Sequence, residues 1–599
     1  MHSVATIASQ ATQLVFSKLM SQDGQGAYDT NRLVRIFGLA LLTVLAAAFL
    51  IQMHDRSSYL PDDGAYAYVA SRLLHGDVLH RDIQDVHAGY IHFMNALSMR
   101  AVGEELVSMR YPLVFLTLVQ ACFAYWIFSR NSVRSALLVG GVLAGLTFVQ
   151  FQNPTANWYC LFLVIVLAAV LSGSQALSAR RIAAVGALVG AVFMFRQLTG
   201  VIVAAGTVVF VLTRLADEEN SRDRCAVLCL LIPAFLVLAV VVAQTSDLMT
   251  ILLIGAWPLV LTGMHVARLR ASNALVWRFA AIATAGAVFA TAPIFIYHGL
   301  NQSIGAWWND AILVAVSLSG QDFISTISYS EYPFLVFEGL VHEFDAAALV
   351  NGIFWLALLS APAVLGVELL RRHCRAGHWR APAFAYLACF YSLVALHYQI
   401  PIYLMYSSAL TLAGLLVVSR DWSIRSNVGL HAVVACCLVV GLMFHAGKPL
   451  PENISGVLRG DRGDPLVDCD LPRLGVDLQL RTCEAYKDII ALVDQHAAAT
   501  ESVLTLPANP EINFLSNRRS PLWFYNSALG IRSNSQLDKA RSFIDAARPA
   551  LIFYNPSDKY VTEHTRQLVK YIEEKYRLGG RMHGLTVYLR LDTDNVVTE

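Results

Sequence analysis

Long apolar segments constrain the fold of this chain more than any other feature. A helix that crosses the hydrocarbon core of a bilayer needs about 20 apolar residues, and about thirteen segments approach that length. They lie at 33–53, 111–129, 133–151, 157–172, 181–195, 198–213, 224–243, 248–266, 277–298, 348–369, 382–398, 401–418 and 428–446. Charged residues make up only 15% of the chain, whereas a soluble domain has roughly 25%. The sequence therefore predicts an α-helical polytopic membrane protein.

Arginines in the connections between these segments predict their orientation. Every second short connection is rich in arginine, such as 371–380, whereas the other short connections contain a single cation, Arg196. Because positively charged loops stay in the cytoplasm, the N-terminus is expected inside and the C-terminus outside. Arginines also occur in the first outer loop, 54–110, and we expect them to bind an anion there. These are Arg56, Arg72, Arg81, Arg100 and Arg110.

The composition changes to that of a soluble domain after residue 447. Apolar runs of strand type, such as ALIFY at 550–554, alternate with helical patterns, as in a small α/β domain. We therefore expect a cytoplasmic segment (1–32), a transmembrane domain (33–447) and an extracytoplasmic α/β domain (448–599). The net charge of +1 gives no bias towards nucleic acid, so nucleic acid is not expected as a partner.

The first outer loop carries a high density of carboxylates. It contains PDDGAYAYVASRLLHG at 61–76 and DVHAGY at 85–90. Pro61 with the aspartates that follow is a helix start, and Gly76 is a helix end. A second helix of the same pattern ends at Gly103. Their apolar stripes predict two helices that lie along the membrane interface.

A single aspartate at a helix start is often only a cap, worth about 1 kcal/mol. That explanation does not cover the pair Asp62 and Asp63 followed by Asp82 and Asp85. Carboxylates in a loop that lies against the membrane interface need a metal, a substrate hydroxyl or an arginine as a partner. Glycosyl transfer from a lipid-linked sugar fits this set. A carboxylate would accept the proton of the acceptor hydroxyl, cations or a metal would stabilise the departing phosphate, and the anomeric centre would be inverted.

The order of apolar span, loop PDDGAYAYVASRLLHGDVLHRDIQDVHAGYIHFMNAL, further spans and outer C-terminal domain resembles the GT-C superfamily. Its members are integral membrane glycosyltransferases, among them protein O-mannosyltransferases, the lipid A aminoarabinose transferase and the catalytic subunit of oligosaccharyltransferase. The resemblance implies a GT-C-like fold and transfer of a sugar from a polyprenyl-phosphate donor to a glycan, lipid or protein acceptor. It also implies a bacterial inner membrane protein with a periplasmic C-terminal domain.

The resemblance also assigns the catalytic residues. The family has an Asp-Glu pair at the start of the first outer loop, which carries over to Asp62 as the catalytic residue, with Asp63 at the position of the glutamate. A second acid before the next helix carries over to Asp85. We expect Asp62 to be the general base and Asp85 to orient the acceptor or a metal.

Donor ligands are expected among the remaining polar residues. In the aminoarabinose branch Lys-Pro follows the second acid, but Val86 and His87 stand here, so arginine or histidine must bind the phosphate. For Arg196 the alternative is snorkelling to the membrane interface, and for His397 it is a buried structural histidine. Asp85 and His87 are the expected ligands of a divalent metal, Mg²⁺ or Mn²⁺. The expected substrate-binding residues are Asp63, Tyr66, Arg81, His87, Arg196, His397 and Tyr398.

Two of the cysteines, Cys469 and Cys483, lie in the polar C-terminal region, whereas the others lie in or beside apolar segments. If that region is extracytoplasmic, two nearby thiols in an oxidising compartment usually pair. The sequence therefore predicts a disulfide between them. Two independent thiols are the alternative, because the Cα separation cannot be read from the sequence.

Two other classes of membrane protein are alternatives to a glycosyltransferase. A secondary transporter carries ionisable residues near the middle of the membrane and often shows inverted repeats, whereas the acids of this chain gather in one outer loop. A membrane sensor with an outer ligand-binding domain would leave the acidic loop without a function.

Overall fold

The structure, a computed structural model of the 599-residue chain, has an N-terminal part built of helices and a C-terminal part of helices and strands. It describes residues 26–56, 58–147, 153–172, 177–218, 223–245, 247–318, 329–341, 345–376, 382–397, 399, 401–443 and 464–591. The predicted boundary at residue 447 lies outside the described residues, as does most of the predicted segment 1–32.

Helices are the regular elements of the first part. In chain order they are α1 (Gly26–Met53), α2 (Leu60–Leu74), α3 (Tyr90–Val102), α4 (Tyr111–Ser129), α5 (Val133–Gly145), α6 (Ala156–Leu171), α7 (Ala179–Phe195), α8 (Gln197–Glu218), α9 (Cys225–Ala243), α10 (Leu248–Arg268), α11 (Asn273–Leu300), α12 (304–318), α13 (Tyr332–Val341), α14 (Ala346–Ala376), α15 (Ala383–Tyr391), α16 (Val394–His397), α17 (Pro401–Val418) and α18 (Ile424–Met443). Helices α10 and α12 each contain a π-helical turn.

Within the described residues, nine helices are long and apolar enough to cross a membrane: α1, α4, α8, α9, α10, α11, α14, α17 and α18. Each coincides with a predicted span. The other predicted spans fall on α5, α6, α7 and α15, which have between 9 and 17 residues, so the total of thirteen stays a prediction. Large apolar side chains such as Phe289 and Val240 are exposed on the outside of these helices, as on a surface that contacts lipid. The chain is an integral membrane protein.

Small residues let α7 and α11 pack with their backbones in contact. A Cβ atom on Gly186 would lie 1.8 Å from the carbonyl oxygen of Ala283, and one on Gly190 would lie 2.8 Å from that of Ala287. Such close approach needs glycine at the crossing point and is common between helices in membranes. The packing fixes the end of α7, where Arg196 begins the next connection.

The first outer loop forms the two predicted helices, α2 and α3. The chain turns at Gly76 after α2 and at Gly103 after α3, with φ angles of 93° and 118°. Glycine adopts such angles at little cost, which explains why both helices end where the sequence predicts.

The apolar face of α2 does not make the contact with lipid that the sequence predicts. Its apolar face, which includes Val69 and Ala70, shares one buried core with residues of the C-terminal part, among them Leu474 and Phe514. This face therefore packs on protein, and the hydrophobic effect that was expected to hold α2 on lipid instead joins the loop to the C-terminal part.

Residues 464–591 form an α/β unit, named the outer domain after the side of the membrane that the sequence predicts for it. Its helices are α19 (Leu480–His496), α20 (Pro510–Leu515), α21 (Ser527–Gly530), α22 (Asn534–Ala547) and α23 (Glu563–Glu573). Its strands are β1 (Leu466–Asp468), β2 (Asp477–Gln479), β3 (Val503–Leu506), β4 (Leu551–Tyr554), β5 (Tyr576–Met582) and β6 (Leu585–Arg590). Strands β1 and β2 form an antiparallel pair, and the other four form a sheet of order β3-β4-β6-β5 in which β3 and β4 are parallel.

Both faces of the four-stranded sheet are covered by helices. Leu537 of α22 and Leu568 of α23 share a core with Ile552 on one face, whereas Val493 of α19 packs with Phe553 on the other. Neighbouring residues of β4 thus point to opposite cores, as a strand with helices on both sides requires.

A disulfide joins Cys469 to Cys483, whose Cα atoms are 5.7 Å apart. It connects the segment after β1 to the first turn of α19. The closed loop is expected to stabilise the outer domain by about 3 kcal/mol on the chain-entropy model.

We expect the disulfide to be present in protein taken from native membranes. Alkylation in denaturant before reduction should leave Cys469 and Cys483 unmodified, because a disulfide has no free thiol. The free cysteines Cys225 and Cys374 should be alkylated in the same sample and serve as controls. Mass spectrometry reads both outcomes, and alkylation of Cys469 together with Cys483 would contradict an oxidising location of the outer domain.

Candidate functional site

The first turn of α2 presents Asp62 and Asp63. Pro61 stands at the helix start, and the N-cap residue is Tyr59, which makes no side-chain cap. The amides of both aspartates donate to the carbonyl oxygen of Tyr59 over 3.1 Å. Neither aspartate is therefore the N-cap residue, although the positive end of the helix dipole favours both carboxylates.

Asp63 is neutralised inside the protein by an arginine from the end of the same loop. Nη2 of Arg110 donates to Oδ2 of Asp63 over 2.8 Å, and the hydroxyl of Ser58 donates to the same oxygen over 2.6 Å. The exposed fraction is 1% for Asp63 and 0% for Arg110. This geometry makes Asp63 a structural partner of Arg110, whereas the sequence predicted contact with a substrate.

Asp62 has a different environment although it is the preceding residue. Its side chain is exposed to solvent, yet protein surrounds it closely enough that burial and the charge of Asp63 raise its pKa to about 6. The ammonium of Lys559 and a hydrogen bond from Nδ2 of Asn153, at 3.4 Å, oppose this rise. Asp62 is therefore a carboxylate that is exposed and yet closely surrounded by protein, and it is largely ionised at neutral pH.

Asp85 is buried among imidazole and phenol groups. Its Oδ1 lies 2.6 Å from Nδ1 of His87 and 2.8 Å from Nε2 of His92, and Tyr525 of the outer domain donates to Oδ2 over 2.7 Å. Burial acts to raise the pKa of Asp85, but the nearby charges of His92 and His87 and the hydrogen bond with His87 outweigh it and hold the pKa well below its usual range. Asp85 is thus an ionised carboxylate with a fixed orientation.

Asp85, His87 and His92 together could hold a divalent metal ion. Their candidate ligand atoms all lie within 4.8 Å of one another. Within the described residues both ring nitrogens of His92 lack a hydrogen bond, since Nε2 approaches Asp85 without hydrogen-bond geometry, so a nitrogen is available to a metal. Two imidazoles and one carboxylate suit a transition metal such as Mn²⁺ or Zn²⁺ better than the predicted Mg²⁺, which prefers oxygen ligands.

Tyr66 lies at the centre of the site, one helical turn after Asp62. Its hydroxyl is 3.2 Å from Nε2 of His87. The charges of Asp62, Asp85 and Arg196 all act on this phenol. Tyr66 is therefore the residue that connects the open carboxylate, the histidine cluster and the end of α7.

Arg196 turns into the protein at the end of α7. Nη1 donates to Oδ1 of Asn157, and the guanidinium carbon lies 4.7 Å from the centre of the Tyr403 ring, as in a cation–π contact. Its side chain is half-buried. Snorkelling to the membrane interface does not describe this arrangement, because the guanidinium is held by polar and aromatic groups of the site.

The second outer loop supplies two residues that the sequence does not mark as functional. The sequence pattern of this loop predicts turn and cap roles for Asn153 and Asn157. In the structure Asn153 donates to Asp62, and Asn157 accepts from Arg196. His92 and Tyr525 were also not predicted. The closeness of His92 to DVHAGY was a usable signal, whereas nothing in the sequence joins Tyr525 to Asp85.

Other predicted site residues are placed elsewhere or are not described. Arg81 is exposed and donates to its neighbour Asp82 and to the carbonyl oxygen of Asn301. Tyr398 and the side chain of His397 lie outside the described residues, so their roles stay predictions.

The expectation that the outer arginines bind an anion stays a prediction, but three of these arginines have a carboxylate partner within the protein. Arg72 pairs with Asp77, Arg81 with Asp82 and Arg110 with Asp63. Carboxylates of the protein itself therefore neutralise these guanidinium groups, and a foreign anion is not needed to explain them.

Comparisons with known proteins do not show which family the chain belongs to. No family model matches the chain, and no curated protein matches its sequence. Among solved structures, the chain is similar to ArnT from Cupriavidus metallidurans bound to undecaprenyl phosphate, over 93% of this chain and 98% of that chain, with 12% sequence identity and a TM-score of 0.37. A score this low supports no conclusion about fold or function, so the function has to be inferred from the side chains of this protein.

We expect the buried pair of Asp63 and Arg110 to be essential for stability. Arg110→Ala should lower the free energy of unfolding by about 3–5 kcal/mol, because the substitution leaves a buried carboxylate without a partner. Arg81→Ala, which removes an exposed ion pair, should have little effect. Chemical denaturation of both purified variants in detergent gives the comparison, and an equally small effect of the two would contradict the assignment.

Proposed function

We propose that this protein is an inverting glycosyltransferase that moves a sugar from a polyprenyl-phosphate donor to an extracytoplasmic glycan, lipid or protein. The observation that carries the proposal is Asp62: an open carboxylate with a pKa raised to about 6, in a protein-lined site on the outer loop of a membrane protein. A general base works best when its pKa lies near the working pH. The resemblance of the acidic loop to the GT-C superfamily supports the same reaction.

Asp62 acts as the general base in this proposal. The oxygen of the acceptor hydroxyl attacks the anomeric carbon, and its proton passes to the carboxylate of Asp62. The bond between the anomeric carbon and the phosphate oxygen breaks, and the phosphate leaves with the electron pair. Because the phosphate is a good leaving group, no strong general acid is needed, and attack from the opposite side inverts the anomeric centre.

Arg196 binds the phosphate of the donor in this proposal. Its guanidinium lies at the outer end of α7, where a lipid phosphate would reach from the bilayer, and it acts electrostatically on Tyr66 in the centre of the site. A planar fork can make two parallel hydrogen bonds to phosphate oxygens. The contact with Asn157 holds the guanidinium in place for this.

Asp85 orients the acceptor or a metal ion. Its rigid contacts with His87, His92 and Tyr525 suit a positioning residue better than a base, because the low pKa makes it a poor proton acceptor. A divalent ion on Asp85, His87 and His92 would supply positive charge to stabilise the departing phosphate.

The outer domain is proposed to lie on the periplasmic side of a bacterial inner membrane. The support for this orientation is the alternation of arginine-rich connections along the chain, together with the disulfide in the outer domain, which suits an oxidising compartment. The donor would then be used on the side of the membrane where the acceptor is found.

Asp62→Asn should abolish transfer while the protein stays folded, because an amide cannot take up the proton of the acceptor hydroxyl. Asp82 is a half-buried aspartate of the same loop that pairs with Arg81, and Asp82→Asn is the matched control that should retain activity. For the wild type, kcat/KM should fall about tenfold per pH unit below about pH 6, since protonation removes the base. Near-normal turnover by Asp62→Asn, or a kcat/KM that does not change with pH through this range, would contradict the assignment of Asp62 as the base.

Arg196→Ala should weaken binding of undecaprenyl phosphate more than Arg196→Lys does. An ammonium retains the charge but replaces only part of the guanidinium fork. Binding can be measured by native mass spectrometry of the protein in detergent. An alanine variant with wild-type affinity would show that Arg196 has a structural role only.

A further inference from the structure

A glutamate of the outer domain is buried where this domain meets the first outer loop. Glu511 lies in α20, and its exposed fraction is 0%. A Cβ atom on Gly64 of α2 would lie only 2.5 Å from Cα and 2.9 Å from the amide nitrogen of Glu511, so the backbones of the two helices touch. Gly64 directly follows the pair Asp62 and Asp63. This contact between Gly64 and Glu511, called below the α2–α20 contact, joins the outer domain to the helix start that carries the proposed base.

Within the described residues, hydrogen bonds from other side chains reach one oxygen of the Glu511 carboxyl group. The hydroxyl of Tyr486 in α19 donates to Oε1 over 3.0 Å, and Nδ2 of Asn509 donates to the same atom over 3.0 Å. Oε2 is buried and has no hydrogen-bond partner in the part of the chain that the structure describes. A charge on a buried carboxyl group is costly unless hydrogen bonds or an opposite charge compensate it. The geometry therefore favours the neutral, protonated form of Glu511.

Charged and titratable groups approach the α2–α20 contact from several elements. The negative charge of Asp558, in the turn after β4, acts on Glu511 and opposes its ionisation. The one ammonium, that of Lys559, acts on Asp62. The two phenols are neutral near physiological pH, because an ordinary tyrosine has a pKa of about 10 and burial raises both. In chain order the groups are Tyr59, Asp62, Asp63, Tyr486, Asp558 and Lys559.

The arginines on either side of this contact already have carboxylate partners. Arg473, which contacts α20, pairs with Glu104 over 2.6 Å. On the α2 side, Arg110 pairs with Asp63 over 2.8 Å. Neither guanidinium group is therefore left to compensate a charge on Glu511.

Burial raises the pKa of Glu511 to about 7, although the hydrogen bonds from Asn509 and Tyr486 act in the opposite direction. When the contact opens and water reaches the carboxyl group, the pKa falls towards the ordinary value for glutamate, about 4.3. The open state therefore binds the proton more weakly than the closed state. The stability of the closed contact falls as the pH rises from about 4.3 to about 7 and stays level above that range.

We infer that Glu511 is a pH-sensitive latch: its protonated carboxyl group keeps the α2–α20 contact closed, and ionisation favours opening of this contact to water. The outer domain then holds the start of α2 most firmly in acid. On the outer side of the membrane, its proposed location, the latch would respond to the pH of the surroundings. The latch goes beyond the proposed function, because it requires no particular reaction at Asp62.

Hydrogen exchange of the full chain in detergent micelles tests the latch. Mass spectrometry at about pH 5, 6, 7 and 8 gives protection factors for peptides that cover α20 and the start of α2, after correction for the intrinsic pH dependence of exchange. Glu511→Gln is the main variant, because its amide resembles the neutral carboxyl group in shape. The ratio of wild-type protection to Glu511→Gln protection isolates the effect of Glu511, since Asp62 and Asp63 titrate in both proteins.

We expect this ratio to fall about tenfold per pH unit up to about pH 7 and to change little above it, because opening lets one proton leave. Tyr486→Phe removes a hydrogen bond that favours the ionised form, so its protection should level off at a higher pH than that of the wild type. Glu484→Gln, which replaces an exposed glutamate of α19, is the matched control and should behave as the wild type.

A ratio that does not change between about pH 5 and about pH 7 would overturn the latch. An equal loss of protection in β6 would also overturn it, because the whole outer domain would then unfold. Tyr486→Phe gives a second test that does not depend on Glu511→Gln: protection that levels off at the same pH in wild type and Tyr486→Phe contradicts the role of Glu511. These experiments measure no turnover, so failure of the latch and failure of the proposed function are distinguishable.

Discussion

The buried ion pair between Asp63 and Arg110 is the interaction on which the rest of the site depends. Two charges without access to water are costly unless they are matched, and removal of one partner leaves the other uncompensated. Because Arg110 also donates to the carbonyl oxygen of His54 over 3.0 Å, the pair joins the beginning of the first outer loop to its end. The start of α2 is thereby fixed, and Asp62 is left as the carboxylate that faces the solvent.

Asp62 differs from the two other acids of the site because the charges of Asp63 and Asp85 are neutralised by side chains of the protein. Oδ2 of Asp63 is held by arginine and serine, and Asp85 is held by two histidines and Tyr525. In the part of the chain that the structure describes, the carboxylate of Asp62 accepts only the long hydrogen bond from Asn153. The three carboxylates of this loop thus have three different environments. Different environments give chemically identical carboxyl groups different pKa values and so different roles.

The sequence predicts those features that depend on interactions between residues close together along the chain. The spans follow from apolar length, the ends of α2 and α3 from Gly76 and Gly103, and the special status of the Asp62–Asp63 pair from its place at a helix start. The features that were missed depend on tertiary contacts. Tyr525 meets Asp85 across 440 residues. Arg110 likewise meets Asp63 across 47 residues.

The titration of Asp62 is the most direct test of this account. Infrared difference spectra of the full chain, recorded from about pH 4 to about pH 8 for wild type and for Asp62→Asn, isolate the carboxyl band that the substitution removes. We predict a midpoint near 6, in agreement with the raised pKa of Asp62. A midpoint at the ordinary value for aspartate, about 4, would contradict the claim that Asp62 occupies a confined site suited to a general base.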